Sequence, residues 1–191
     1  MKYRILIMLF WLVACVVNAQ PKYEIRAGYT RYEQLPLNKS YSVGGFLGGV
    51  VLDFKTNEKL SFQPGLLFVM KGTKPILYVN NLEIVERLSY LEVPLMLSWK
   101  IPIETSRLFF DWGAGLYCAH GLTGTIKEKE IDGTWMSITE YSAFHYRKRF
   151  DTGLQAGIGI GGSRFRLGME GQVSVTSSKL AGLRFFYGYK F

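Results

Sequence analysis

Apolar and polar residues alternate one by one through much of this chain, and no other feature restricts its fold as strongly. The clearest stretch is Ala181–Phe191, where Ala181, Leu183, Phe185, Tyr187, Tyr189 and Phe191 fall on one side. Gly182, Arg184, Phe186, Gly188 and Lys190 fall on the other. Successive side chains of a β-strand point to opposite faces, so this split is that of a strand with one face against an apolar phase. Lys59–Lys71 repeats the pattern, with Leu60, Phe62, Pro64, Leu66, Phe68 and Met70 opposite Ser61, Gln63, Gly65, Leu67, Val69 and Lys71.

Six further segments alternate in the same way: Tyr23–Tyr32, Tyr41–Phe54, Leu88–Ile101, Arg107–His120, Phe150–Gly161 and Arg164–Val175. Pro94 interrupts the fourth strand and removes one ladder donor, which predicts a local bulge there. Connections after the second, fourth and sixth strands are short, and those after the first, third and fifth are mostly longer. The longest, Gly121–Lys148, is expected to hold its own hairpin around Asp132-Gly133. Short turns at one end and long loops at the other are the pattern of an antiparallel up-and-down transmembrane β-barrel of eight strands. Aromatics at 15% together with 21 glycines suit closely packed strands better than helices.

Alternation alone does not say which face is inside, but size does. An eight-stranded barrel has a bore just wide enough for side chains to fill. The apolar series carries Trp99, Trp112, Phe46, Phe54, Phe62, Phe68, Phe110, Phe150, Phe165 and Phe185 among many Leu and Val, too much bulk for such a bore. The polar series is rich in Gly and carries Glu24, Arg26, Asp53, Glu92, Asp111, Asp151, Arg166, Glu170 and Arg184. Those opposite charges are expected to pair in the lumen, with the apolar face toward lipid. Closure then requires the last strand to pair with Tyr23–Tyr32. The outward row ending in Tyr187, Tyr189 and Phe191 reads as an aromatic girdle and C-terminal assembly signal for the machinery that inserts barrels.

The N-terminus reads as a targeting segment. Lys2 and Arg4 precede an apolar run, Ile5–Val17, that is shorter than the roughly 20 residues of a spanning helix. Val17-Asn18-Ala19 then offers a cleavage site before Gln20, leaving 1–19 as signal peptide and 20–191 as the barrel domain. Leu12-Val13-Ala14-Cys15 is a competing lipobox that would acylate Cys15 instead. Loss of Lys2 and Arg4 lowers the net charge from +8 to +6 and leaves Cys118 without an internal disulfide partner. A modestly basic surface of this kind suits lipid phosphates or an anionic partner, and nothing in it is a nucleic-acid footprint.

"LSFQPGLLFVMKG", "LSYLEVPLMLSWKI", "FFDWGAGLY" and the terminal "YGYKF" resemble the PorT-like outer membrane β-barrel domain family of Bacteroidota. The resemblance covers Gln20–Phe191 and implies an eight-stranded barrel resident in the outer membrane of a Gram-negative cell envelope. It implies no single activity, although one member serves protein secretion.

No cofactor or metal is expected. Glu92 with Asp111, or Asp53 with Glu170, could act as acid–base pairs, but lumen arginines are their more natural partners. His120 and His145 lack neighbours at metal-ligand spacing. "GIGIGGS" is followed by no helix and so is not a phosphate loop. Arg147, Lys148 and Arg149, where the longest loop rejoins the sixth strand, are candidate contacts for lipopolysaccharide phosphates. The expected function is a non-enzymatic barrel with a structural or accessory role in the envelope, which includes assisting a secretion complex. A small solute channel and a lipid-modifying enzyme are the alternatives.

Overall fold

The computed structural model describes residues 21–35, 40–75, 82–104, 106–132, 135–145, 147–176 and 179–191. The proposed leader and Cys15 lie outside them. Nine strands follow in order: β1 Lys22–Gln34, β2 Ser40–Lys55, β3 Leu60–Pro75, β4 Leu82–Pro102, β5 Phe109–Asp132, β6 Trp135–Ser142, β7 Phe150–Gly161, β8 Phe165–Ser174 and β9 Leu180–Lys190. Each barrel strand pairs antiparallel with both neighbours, in the order β4-β3-β2-β1-β9-β8-β7-β5, and β4 returns to β5. The seam is β1 against β9, from Glu24↔Lys190 to Gln34↔Leu180. Eight strands therefore close the barrel, and β6 stands outside it as a hairpin partner of the far end of β5.

Short turns gather at the end where β1 begins and β9 stops. Asn57 Oδ1 accepts from the amides of Lys59 and Leu60 and holds the β2–β3 turn. Ile103 N donates to Leu108 O in the β4–β5 turn, and Gly162 N to Phe165 O in the β7–β8 turn. In barrels of this kind the short-turn end faces the periplasm and the opposite end faces outward.

Two details depart from the sequence reading. The ladder passes Pro94 without any change of register, since Pro64↔Leu95 and Leu67↔Glu92 share one alignment. The missing N–H costs only the intervening pairings, and Gly65 opposite leaves room for the ring, its absent Cβ falling 3.1 Å from Pro94 Cγ. The bulge lies elsewhere: Tyr90 pairs with Gly121 but Ser89 pairs with Thr123, so Leu122 is the extra residue. That insertion shifts the phase of alternation by one. It hides the true length of β5, which continues to Asp132 instead of ending at His120; its partner β4 begins at Leu82 rather than Leu88.

The outward face is an apolar belt. Leu97, Trp112, Leu116, Leu154, Leu167 and Phe185 are each about half exposed, with Trp99, Tyr187 and Tyr189 near the short-turn end. A contiguous apolar band of this extent is stable against lipid and not against water.

Inside, Phe186 lies between Gly28 and Gly168, its register partners on β1 and β8. The guanidinium groups of Arg26 and Arg166 lie 4.5 and 5.2 Å from the ring centroid. A Cβ at Gly168 would stand 2.3 Å from Phe186 Cζ, so the flat packing of the ring requires glycine there. Gly168→Val should lower stability by roughly 1–3 kcal/mol through overpacking. Equilibrium unfolding of the detergent-folded protein in guanidinium measures it, and an unchanged midpoint would contradict this packing.

Candidate functional site

The bore is the candidate site, because each of the eight barrel strands sends at least one buried charged residue into it. Glu24, Arg26, Asp53, Glu92, Asp111, Asp151, Arg166, Glu170 and Arg184 are all buried. They form a ladder along the barrel axis. At the short-turn end, Lys100 Nζ lies 2.5 Å from Asp53 Oδ2. Arg166 Nε lies 2.7 Å from Asp111 Oδ2, and its Nη1 is 3.9 Å from Glu24. Arg26 Nε donates to Glu24 Oε1 at 2.6 Å and reaches Glu170 at 3.2 Å through Nη1. Gln63 Oε1 accepts from both Arg26 and Arg166 at 3.1 Å, which holds the two like charges side by side. Arg184 then bridges Glu170 Oε2 and Glu92 Oε1, each at 2.5 Å.

Gln155 and Gln172 close the middle of the ladder. Arg184 Nη2 donates to Gln155 Oε1 at 2.9 Å, and Gln172 Nε2 donates to Glu92 at 2.8 Å. The Tyr32 hydroxyl donates to Gln172 Oε1. Next along the axis, Lys71 Nζ lies 3.1 Å from Asp151 and 3.6 Å from Glu92. Three aromatic rings surround the same ammonium, Tyr32, Tyr90 and Tyr117, with centroids 5.0, 4.9 and 4.6 Å away. A desolvated cation gains about 2 kcal/mol from such a ring face. Asp151 also accepts from Tyr117 at 3.1 Å and from Ser174 at 2.6 Å.

Toward the outer end the bore turns apolar. Leu47, Val51, Leu67, Val69, Leu88, Ala119 and Leu180 pack with the three tyrosines and Phe186. Ala143 is buried in the same cluster, and Phe144 meets Tyr90 edge-on with centroids 5.9 Å apart. The short 3₁₀ turn Ala143–His145 thereby caps the outer mouth.

Among the described residues each carboxylate of the bore faces a cation. Glu92, Asp111 and Asp151 are 0% exposed, which keeps them from a reacting substrate. The paired-carboxylate chemistry weighed from the sequence requires an access that these groups do not have.

Sequence reasoning omits Lys71, Lys100 and Lys190 from the network because they stand near strand ends, where a lysine reads equally as rim. It also omits Glu86, which falls within the apparent loop hidden by the Leu122 bulge. Continuing the alternation of β3, β4 and β9 places all three lysines inward. Of the rim cluster, Arg147 Nε is 2.5 Å from buried Glu86. Arg149 Nη1 donates to the carbonyls of Gly121 and Leu122 at 3.1 and 3.0 Å and stacks on Phe144. Lys148 is exposed. Tyr187, Tyr189 and Phe191 form one outward row, with Tyr189 and Phe191 edge-to-face at 5.0 Å, and Phe191 N donates to Tyr23 O on β1.

A family model described as an outer membrane protein beta-barrel domain matches residues 18–177. Among solved structures, Neisserial surface protein A is similar at a TM-score of 0.52 and 11% identity, over 89% of this chain and 95% of that one. That similarity is one of fold. Ail, the attachment invasion locus protein of Yersinia pestis, aligns at 15% identity and TM-score 0.44 over 90% of this chain and 99% of its own. The N-terminal β-barrel domain of Pseudomonas aeruginosa OprF aligns at 13% and 0.42 over 91% of this chain and 100% of its own. No curated protein matches the sequence.

The ladder carries a testable asymmetry. Arg184→Gln strands Glu92 and Glu170 as buried, under-compensated anions and should cost about 3–5 kcal/mol. Adding Glu92→Gln and Glu170→Gln should recover much of that loss. Thermal unfolding of the three-site variant below that of Arg184→Gln alone would contradict the pairing.

Proposed function

The chain belongs to the outer membrane protein β-barrel domain family, and from that premise we propose a closed, non-enzymatic barrel with a structural or accessory role in the cell envelope. The observation that carries this reading is the filled bore. Ion pairs run along the bore from Lys100–Asp53 to Arg147–Glu86, and tyrosines and apolar side chains fill the space around them. A solute channel needs a continuous wet path, which such packing removes. A lipid-modifying enzyme needs a catalytic cluster on the lipid face, and among the described residues that face is aliphatic and aromatic.

Within this reading, residues 1–19 direct export, and the aromatic row of β9 serves as the edge that the insertion machinery engages. Lys148 and Arg149, exposed at the outer rim, meet lipopolysaccharide phosphates, whereas Arg147 is turned to Glu86. The resemblance of the strand sequences to the PorT-like group favours a secretion or envelope complex as the partner.

The test is conductance. Purified full-length protein in planar bilayers should give no resolved single-channel steps, beside a general porin that conducts under the same conditions. Stable, voltage-independent steps would reverse the choice in favour of the channel.

A further inference from the structure

We propose that the periplasmic mouth of the barrel is a receptor for an acidic peptide segment of a periplasmic partner, an inference that rests on the closed-barrel reading and names the kind of partner it serves. The inner end of the bore opens into a cavity of about 300 Å³ whose wall carries Lys22, Lys55, Lys100, Arg107 and Lys190. Two of these cations are already balanced, Lys100 by Asp53 at 2.5 Å and Lys190 by Glu24 at 3.9 Å. Lys22, Lys55 and Arg107 are exposed and make no ion pair among the described residues. Glu58 is the one further acidic residue of this wall. Positive charge is therefore in surplus at this mouth, and a cleft lined by one sign of charge focuses its field on an entering anion.

Three observations select an acidic peptide over other anions. The first is placement. Lys100, Lys190 and Asp53 face the axis, while the outer wall at the same level is a girdle of Tyr23, Trp99, Trp112 and Tyr189. Phospholipid headgroups lie outside that girdle and do not reach the cup. The second is spread: the unpaired cations of the wall come from separate elements, Lys22 opening β1, Lys55 closing β2 and Arg107 in the β4–β5 turn. A peptide with several carboxylates reaches all three, whereas a single phosphate or carboxylate does not. The third is the floor. The Phe109 ring, with Lys190 Nζ 4.5 Å from its centroid, offers apolar contact to the methylenes of a Glu side chain. Beyond it the ion-pair ladder stops the ligand, so the cup binds and does not conduct.

The full-length protein, folded into phosphatidylcholine nanodiscs, is titrated with fluorescein-labelled hexaglutamate and hexaglutamine and followed by anisotropy. Hexaglutamate should bind and hexaglutamine should not. Lys55→Gln with Arg107→Gln, both exposed positions outside the ladder, should weaken binding by about tenfold, equivalent to about 1.4 kcal/mol. Arg87→Gln with Lys148→Gln at the opposite end should leave it unchanged. Equal affinity for the two peptides would overturn the proposal, as would equal loss in both variants. Displacement of the peptide by inorganic phosphate, or by phosphatidylglycerol included in the nanodisc, would assign the site to a simple anion or to the membrane surface instead. Absent peptide binding alongside absent conductance would remove this inference and leave the closed barrel standing.

Discussion

A backbone N–H or C=O left unpaired in hydrocarbon costs several kcal/mol, and the whole structure follows from meeting that demand. An open sheet has two edges that lipid cannot satisfy. The pairing of β1 with β9 removes both edges, and it joins residues far apart in the chain, Glu24 with Lys190 and Gln34 with Leu180. Closure with eight strands then dictates a narrow bore. Everything that points inward must fill that bore without leaving an unpaired charge.

The bore meets this demand by two means. In its inner part, arginine forks reach two carboxylates each, as Arg184 does with Glu170 and Glu92, and the glutamines share the remaining donors and acceptors. Planar guanidinium groups suit this better than ammonium groups because they present several donors in a fixed fork. In its outer part, the packing is apolar, and the single deeply buried ammonium, Lys71, is held by two carboxylates and three tyrosine rings. Gly28 and Gly168 thin the wall where Phe186 must lie flat beneath Arg26 and Arg166. The result is a plug made by the barrel wall itself. The two rims then differ in chemistry, with a lysine-lined cup at the short-turn end and the Ala143–His145 turn at the other.

Much of this was legible in the residue order, for a physical reason. A strand between lipid and a polar bore has a period of two, so alternation, together with a bore too narrow for the aromatic series, assigns Glu24, Arg26, Asp111, Arg166, Glu170 and Arg184 to the interior. It also makes Tyr23–Tyr32 the closing partner of the last strand. Where one phase is missing, legibility ends. Beyond Ile126 the run Lys127-Glu128-Lys129-Glu130 alternates in sign rather than in polarity. The bulge that precedes it reverses the phase without any proline or glycine to mark it uniquely, while Pro94, which looks like a bulge, is absorbed by Gly65. The tyrosine cage is hidden for another reason. Tyr32, Lys71, Tyr90 and Tyr117 come from four strands, and only the stagger of the closed barrel brings them to one level.

Solid-state NMR of the protein in lipid, with dipolar recoupling between guanidinium nitrogens and carboxyl carbons, reads the central claim directly. The account predicts that the Arg184 nitrogens couple to the carboxyl carbons of both Glu92 and Glu170 and are protected from water exchange. Arg184 signals that show contact with water and with neither glutamate would contradict it.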